Sequence, residues 1–287
     1  MIDVLIVGGG PAGVSAAIYL QRFKWNVVVI SKDYGALAQS THIENYYGFE
    51  NPITGKELIE AGLAQAKRIG VTVNENEEVL TINGIGPFQI KTNRSDYQAK
   101  TILLATGMSR PNLRVKGFAT LSGKGVSFCG ICDGFLYRNK KIGIVGSGEF
   151  MLEELEVLKA FSSDITIFTN GETLKVDVDS SQVITEPITE LLGVDHLTGV
   201  QTKTNTFELD ALFLAAGTPS ASDFAVRMGA FVNQKNEIEV DPLFSTNIPG
   251  LYAAGDCVGG LLQISKAVSD GANAAIAINK YLKSKTS

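Results

Sequence analysis

The chain has 287 residues, 45% of them apolar, and a formal charge of −5 without long charge runs. That length holds one large domain or two ordinary ones with a substantial core, and it excludes a disordered chain; the lack of a basic stripe excludes a nucleic-acid binder. No apolar run reaches the ~18 residues of a spanning helix, so no membrane partner is expected. Three cysteines fit a reducing cytoplasm better than a disulfide-stapled secreted scaffold. The chain opens Met1-Ile2-Asp3-Val4-Leu5 and enters a strand at once, with no basic lead or cleavage site, so no leader is expected.

Asp3 to Val7 is a short β-branched run, followed by Gly8-Gly9-Gly10-Pro11-Ala12-Gly13 and a helical stretch to about Phe23. Gly8, Gly10 and Gly13 match the dinucleotide fingerprint. The first two allow a tight turn against a pyrophosphate, the third lets helix and strand pack closely, and the helix N-terminus faces the anion. Asn26 to Ile30 supplies the second strand. An acidic residue is expected at its end to hold a ribose, yet Ser31 and Lys32 stand there, so a different ribose contact and a phosphate contact from Lys32 are expected.

A glycine-containing loop, Tyr34 to Asn51, leads to Thr54-Gly55-Lys56-Glu57, which reads as a capping box. The helix behind it carries Leu58, Ile59, Gly62, Leu63, Ala66 and Ile69 on one face. Val71 to Val73 is a strand. Glu78–Ile82, Phe88–Thr92 and Tyr97–Leu104 form a β-meander turned at Asn83-Gly84 and Asn93-Arg94. The last run ends in Ala105-Thr106-Gly107, and a linker containing Pro111 follows.

From Lys141 the pattern starts over: strand to Val145, glycine turn Gly146-Ser147-Gly148, helix Leu152 to Phe161, strand Ile165 to Phe168. This repeats the first βαβ unit. Phe213-Leu214-Ala215-Ala216-Gly217 echoes Leu103-Leu104-Ala105-Thr106-Gly107. After Asp241-Pro242, Leu251 to Asp256 is a strand ending in Gly255-Asp256, expected to rejoin the first sheet and place Asp256 beside the Gly8 turn. A helix from Ile264 to Leu282 closes the pattern.

Between the repeats lies Ser127-Phe128-Cys129-Gly130-Ile131-Cys132-Asp133-Gly134-Phe135. Two thiols with two residues between them can close a disulfide or share a metal, and paired thiols favour a thiolate. One reading is a redox dithiol with Asp133 as proton donor or acceptor. The other is half of a zinc site, which needs about four ligands. The remaining candidates are Cys257, His42 and His196, none of them in a second Cys-x-x-Cys pair.

The glycine fingerprint, Glu44-Asn45, Ala105-Thr106-Gly107, Cys-x-x-Cys-Asp-Gly-Phe and Ala253-Ala254-Gly255-Asp256 run in an order that resembles the low-molecular-weight thioredoxin reductases, over nearly the whole chain. The resemblance implies an α/β fold of two Rossmann-like domains. An FAD domain would comprise 1–110 and 242–287, and a smaller dithiol-bearing domain 111–241. It implies a cytoplasmic FAD-containing homodimer that reduces a disulfide in thioredoxin, with no metal. Gly8, Gly10, Pro11, Ala12, Gly13, Ser31, Lys32, Gly35, Ala36, Gln39, Asn45, Val79, Ala105, Thr106, Gly107, Gly255, Asp256, Gln263 and Ile264 would line the flavin dinucleotide. Cys132 would face the flavin, Cys129 would exchange with the protein substrate, and Asp133 would move the proton.

The chain departs from that pattern in ways that resemble a smaller branch, the ferredoxin-dependent flavin thioredoxin reductases. The Gly35–Asn45 loop is shorter than usual, and Leu262 replaces an arginine before the flavin-contacting glutamine. Met151 stands where a small residue belongs beneath a pyrophosphate. Thr169-Asn170-Gly171 replaces the basic cluster that holds the 2′-phosphate of NADPH, and the interval to Phe213 is reduced. Ferredoxin is therefore the expected electron donor. The alternatives are an NADPH-dependent thioredoxin reductase and a flavin-linked dithiol redox sensor. Elsewhere, His42 reads as a hydrogen-bonded loop histidine, Cys257 as a buried filler and Trp25 as a packing residue. His196 has no assigned role. Arg138, Lys140 and Lys141 read as a solvated cluster, with an acidic partner as the alternative.

Overall fold

The computed structural model describes residues 1–107, 113, 115–128, 130–178, 182–216 and 220–286. Pro111 and its linker, Cys129 and Gly217 lie outside the described residues, as does the side chain of Cys132. The chain forms two compact units, Met1–Ser109 with Ser220–Ser287, and Arg110–Pro219.

In the first unit, β1 (Ile2–Val7) leads through the glycine turn into α1 (Pro11–Arg22), then β2 (Val27–Ser31), α2 (Gly55–Arg68), β3 (Thr72–Glu75), β4 (Val79–Asn83), β5 (Phe88–Thr92) and β6 (Asp96–Leu104). β1 and β2 are nearly continuous apolar runs because both of their faces are covered, as parallel strands require. Thr54 caps α2 in the expected box: its hydroxyl accepts from the Glu57 amide at 3.2 Å, and the Glu57 carboxylate accepts from the Thr54 amide at 2.9 Å. The meander turns where Asn83-Gly84 and Asn93-Arg94 place it.

The second unit runs α3 (Phe118–Leu121), β7 (Val126–Ser127), α4 (Gly130–Asp133), β8 (Ile142–Val145), α5 (Glu149–Lys159), β9 (Ile165–Phe168), β10 (Gln182–Ile184), β11 (Ile188–Gly193), β12 (Leu197–Thr202), β13 (Thr206–Glu208) and β14 (Ala211–Leu214). A parallel sheet has the order β10-β9-β8-β14-β7, and β11-β12-β13 form a separate antiparallel sheet. The repeated βαβ pattern is thus a second Rossmann-type arrangement.

The chain then returns to the first unit with α6 (Ala221–Arg227), β15 (Leu251–Ala253) and α7 (Ile264–Thr286). The first sheet has the order β3-β2-β1-β6-β5-β4, and β15 pairs in parallel with the far half of β6, Leu251 opposite Ile102. The boundary expected at 241/242 falls instead at 219/220. The reason is burial. Ala221, Phe224 and Ala225 of α6, with Ala230 and Ile238, join the core formed by Leu5, Val7, Val28 and Ile30, covering one face of the first sheet. The α1–α7 pair covers the other. Among the described residues no helix is long and apolar enough to cross a membrane.

α1 and α7 meet almost backbone to backbone. A Cβ on Gly271 would land on the Ala12 carbonyl, and the Ser15 hydroxyl donates to the Val268 carbonyl at 2.7 Å. Gly271→Ala must push the helices apart, and overpacking of this kind costs about 1–3 kcal/mol. A thermal midpoint equal to that of the parent would refute this account of the crossing.

Candidate functional site

The first site is built where β1 ends. Gly8 has φ +117°, and a Cβ on it would collide with the Ala105 carbonyl; a Cβ on Gly13 would strike the Gly8 carbonyl. These two glycines let the turn, the start of α1 and the end of β6 touch. α1 begins with Pro11 at its first position and Gly10 as a cap that offers no side-chain hydrogen bond. The first amides of this 12-residue helix therefore point forward without a side-chain acceptor, as an anion site requires. Space is open over Gly10, Gly35 and Gly107, where a Cβ would meet nothing within 4 Å. Gly255 comes up from the end of β15 against the Ala12 side chain, so Gly255-Asp256 lies beside the turn as the sequence implied.

The other expected residues are placed by their own contacts. The Asn45 side-chain amide donates to the Gln263 side-chain oxygen, Oε1, at 2.9 Å, joining the loop after β2 to the residue that precedes α7. Ile264 opens that helix. Ala36 and Gln39 sit in a short 3-10 turn, Ala36–Gln39, behind Gly35, whose amide is held by the Asp33 carboxylate at 2.7 Å. Ser31 is buried against Gly9, and its hydroxyl donates to the Asp33 carbonyl at 3.0 Å. Three residues have further contacts. Lys32 faces Glu78 at 3.8 Å. The Val79 side chain is in the core. The Thr106 hydroxyl accepts from the Ala221 amide at 2.9 Å, capturing the first turn of α6.

Sequence reasoning missed the pair beneath this cradle. Lys266 donates to the Gly255 carbonyl at 3.1 Å, to the Gly259 carbonyl at 2.5 Å and to the Asp270 carboxylate at 2.7 Å. Asp270, 6% exposed, also accepts from the Gly255 amide at 3.2 Å. The pair fixes the loop that carries Asp256. Burial raises the Asp256 carboxyl above its usual range, with Asp270 adding to the rise and Lys266 opposing it. The i,i+4 spacing of Lys266 and Asp270 was the visible signal. Cys257 is buried beside them, donating to the Ala254 carbonyl at 3.3 Å, and burial pushes its thiol up to about 12. It is an inert filler, as expected.

The second site is the dithiol stretch in the other unit. Ser127, buried at the end of β7, donates to the Asp133 carboxylate at 2.6 Å. This fixes the carboxylate that follows Cys132 in sequence, and nothing periodic in the sequence marks the six-residue spacing. Tyr137, four residues on, has its phenol raised by burial and then by the Asp133 and Asp210 charges. Among the described residues no group of three or more His, Cys, Asp or Glu could hold a metal. His42 pairs with Glu44 at 3.2 Å on the surface.

The repeat turn of the second unit is filled differently. Met151, fully buried, lies under Gly146, where a Cβ on the glycine would meet it. The Ser147 hydroxyl donates to the Glu172 carboxylate at 2.6 Å, and the Lys175 amide donates to the Ser147 carbonyl at 2.7 Å. Leu174, Val176 and Val178 pack on the core that includes Phe150 and Met151. Thr169-Asn170-Gly171 turns the chain into this strap with Asn170 and Gly171 at positive φ, and Asn170 accepts from the Ile188 amide at 2.9 Å.

Residues 2–271 match the pyridine nucleotide-disulphide oxidoreductase family. The chain is 31% identical to the thioredoxin reductase of Bacillus subtilis, covering 98% of this chain and 95% of that one. It resembles the crystal structure of the atypical thioredoxin reductase TRi from Desulfovibrio vulgaris Hildenborough, with TM-score 0.88 and 35% identity over 99% of both chains. A ferredoxin-flavin thioredoxin reductase from Clostridium acetobutylicum superposes with TM-score 0.69 at 29% identity, over 100% of this chain and 99% of that one.

Two variants test the sites. At Gly10, φ is −78° and nothing surrounds the missing side chain. Gly10→Val is expected to fold with the parent's thermal midpoint while its retention of flavin dinucleotide falls by about tenfold or more, ~1.4 kcal/mol. Flavin content equal to the parent's would place the ligand elsewhere. Ser127→Ala frees the Asp133 carboxylate to rotate. Disulfide turnover should drop by roughly tenfold, a fraction of the 10²–10⁴-fold a positioned acid–base group supplies. An unchanged rate would remove Ser127 from the site.

Proposed function

The chain belongs to the pyridine nucleotide-disulphide oxidoreductase family, and on that premise we propose that it reduces the disulfide of thioredoxin with electrons taken from reduced ferredoxin. It is a thioredoxin-reductase-type flavoenzyme that binds FAD. The cradle of the first unit fits the group: an uncapped helix N-terminus for the pyrophosphate, open space over Gly10, Gly35 and Gly107, and Asp256 beside the turn. When bound, FAD accepts electrons singly and delivers them in pairs to a disulfide.

The chain's own residues do the rest in this reading. Cys132 meets the flavin side and Cys129 exchanges with thioredoxin. Reduction of the Cys129–Cys132 disulfide takes two electrons and two protons and leaves two thiols. Asp133, oriented by Ser127, holds the proton that moves when a thiolate leaves. The protein acts as a cytoplasmic homodimer, the assembly implied by the resemblance.

The observation that carries the choice of donor is the Ser147–Glu172 hydrogen bond. In a working nucleotide turn that hydroxyl and the adjacent amides face a pyrophosphate. Here the Ser147 hydroxyl is taken by the Glu172 carboxylate, itself 3.7 Å from Lys175, and so is not offered to an incoming phosphate. Loss of two charge-assisted hydrogen bonds to a 2′-phosphate, at roughly 1.5–3 kcal/mol each, weakens binding further by about 10²–10⁴-fold. Ferredoxins of the plant type lie near −400 mV and thioredoxin near −270 mV. That gap of about 130 mV for two electrons is roughly 6 kcal/mol downhill.

The test is anaerobic thioredoxin reduction with each donor. Turnover with reduced ferredoxin and none with micromolar NADPH is expected. Rapid turnover with NADPH alone would restore the ordinary nicotinamide-dependent reductase. A disulfide that cycles with neither donor reducing thioredoxin would make the protein a sensor.

A further inference from the structure

α5 is amphipathic, and its buried face reads Phe150, Met151, Glu154, Leu155, Leu158. Four of these are the apolar residues that the helical spacing requires. Glu154 is not, yet it is 1% exposed. Its carboxylate accepts the Gly130 amide at 2.7 Å, in a fully buried hydrogen bond. Gly130 is the residue between Cys129 and Ile131 and the first residue of α4, whose third is Cys132.

The contact has no slack. A Cβ on Gly130 would meet the Glu154 carboxylate at 2.8 Å and Leu158 at 3.3 Å. A Cβ on Gly134 would meet the Phe161 ring at 2.6 Å. Both glycines of the dithiol stretch are therefore pressed onto α5, and Glu154 is the group that anchors the first. The amide it holds is one of the donors that a helix start leaves without an intrahelical partner. A leucine at 154 would satisfy the helix pattern and strand that amide in a dry site.

We propose that Glu154 is a positioning residue for the dithiol: it clamps the Gly130 amide, and with it the start of α4 between the two cysteines in sequence, through thiol–disulfide exchange. The inference rests on the reading of Cys129 and Cys132 as the redox pair. Closing the disulfide releases two electrons and two protons from the two thiols, and opening it returns them. A fixed backbone sets how well the closed form is accommodated relative to the open one, so the clamp acts on the equilibrium as well as on the rate.

The test uses holoenzyme equilibrated in dithiothreitol redox buffers, with thiols counted on the Cys129–Cys132 pair, alongside the rate of thioredoxin interchange. Glu154→Leu removes the acceptor without opening a cavity. It is expected to shift the dithiol/disulfide equilibrium by about tenfold, ~30 mV for two electrons, and to slow interchange by a similar factor. Glu154→Gln keeps an acceptor oxygen and is expected to stay within about threefold of wild type. Gly130→Ala attacks the same contact from the other end and should reproduce the Leu phenotype, which keeps the test valid if Glu154→Leu does not fold.

A folded Glu154→Leu or Gly130→Ala enzyme with wild-type equilibrium and rate overturns the proposal. So does a Gln variant as impaired as Leu, since charge and not the clamp would then be the cause. If the wild-type pair forms no disulfide across the buffer range, the redox reading itself fails, and this inference falls with it.

Discussion

Close backbone approach around the start of α1 is the constraint on which the first unit depends. Gly8 lies on the Ala105 carbonyl, Gly13 on the Gly8 carbonyl, Gly271 on the Ala12 carbonyl, and Gly255 on the Ala12 side chain. A methyl group at any of these points would force apart two elements that must touch. Because contact is made by backbone, the ends of β1, β6 and β15 and the starts of α1 and α7 converge without side chains filling the space between them. The helix amides keep their forward direction, and the cavity over Gly10 stays open. Lys266 and Asp270 stabilise the same arrangement from below, tying the Gly255–Gly259 loop to α7.

The second unit uses the same βαβ frame to a different end. Its turn also begins at a strand end and leads into a helix whose cap, Gly148, is open, but the turn is packed on two sides. Met151 lies beneath Gly146, and the segment from Glu172 to Val178 is tied to Ser147 by two hydrogen bonds and packs on the same core. α5 presents Glu154 and Leu158 to the dithiol stretch. The dithiol stretch is thus held to the second unit through packing and one buried hydrogen bond.

The element pattern was legible from short-range signals. Glycines at positions 8, 10 and 13 between an apolar run and a helical stretch, the Thr54 capping box, and the Asn83-Gly84 turn each depend on neighbours a few residues apart, and each forms where expected. The return of the Leu251 strand to the first sheet was legible too, because its Gly-Asp ending matched the site it had to reach. The boundary near residue 241 was not. The residues of α6 are apolar and could cover either sheet, and only the packing of Phe224 against the first sheet decides the matter.

By itself, then, the sequence determined two Rossmann-type repeats, a dithiol between them and a first turn able to cradle a dinucleotide, since all of these follow from local periodicity and backbone freedom. Tertiary structure alone decided which polar groups serve the sites. Thr106 and Lys32 have further contacts of their own, whereas Ser127 and Glu172 carried no local signature and Glu154 only that of an acid on an apolar helix face. Their roles arise when residues 6, 24 and 25 positions apart meet at hydrogen-bond distance. A directional bond a few ångströms long depends on where the folded backbone puts its two ends, and no pattern confined to one element carries that information.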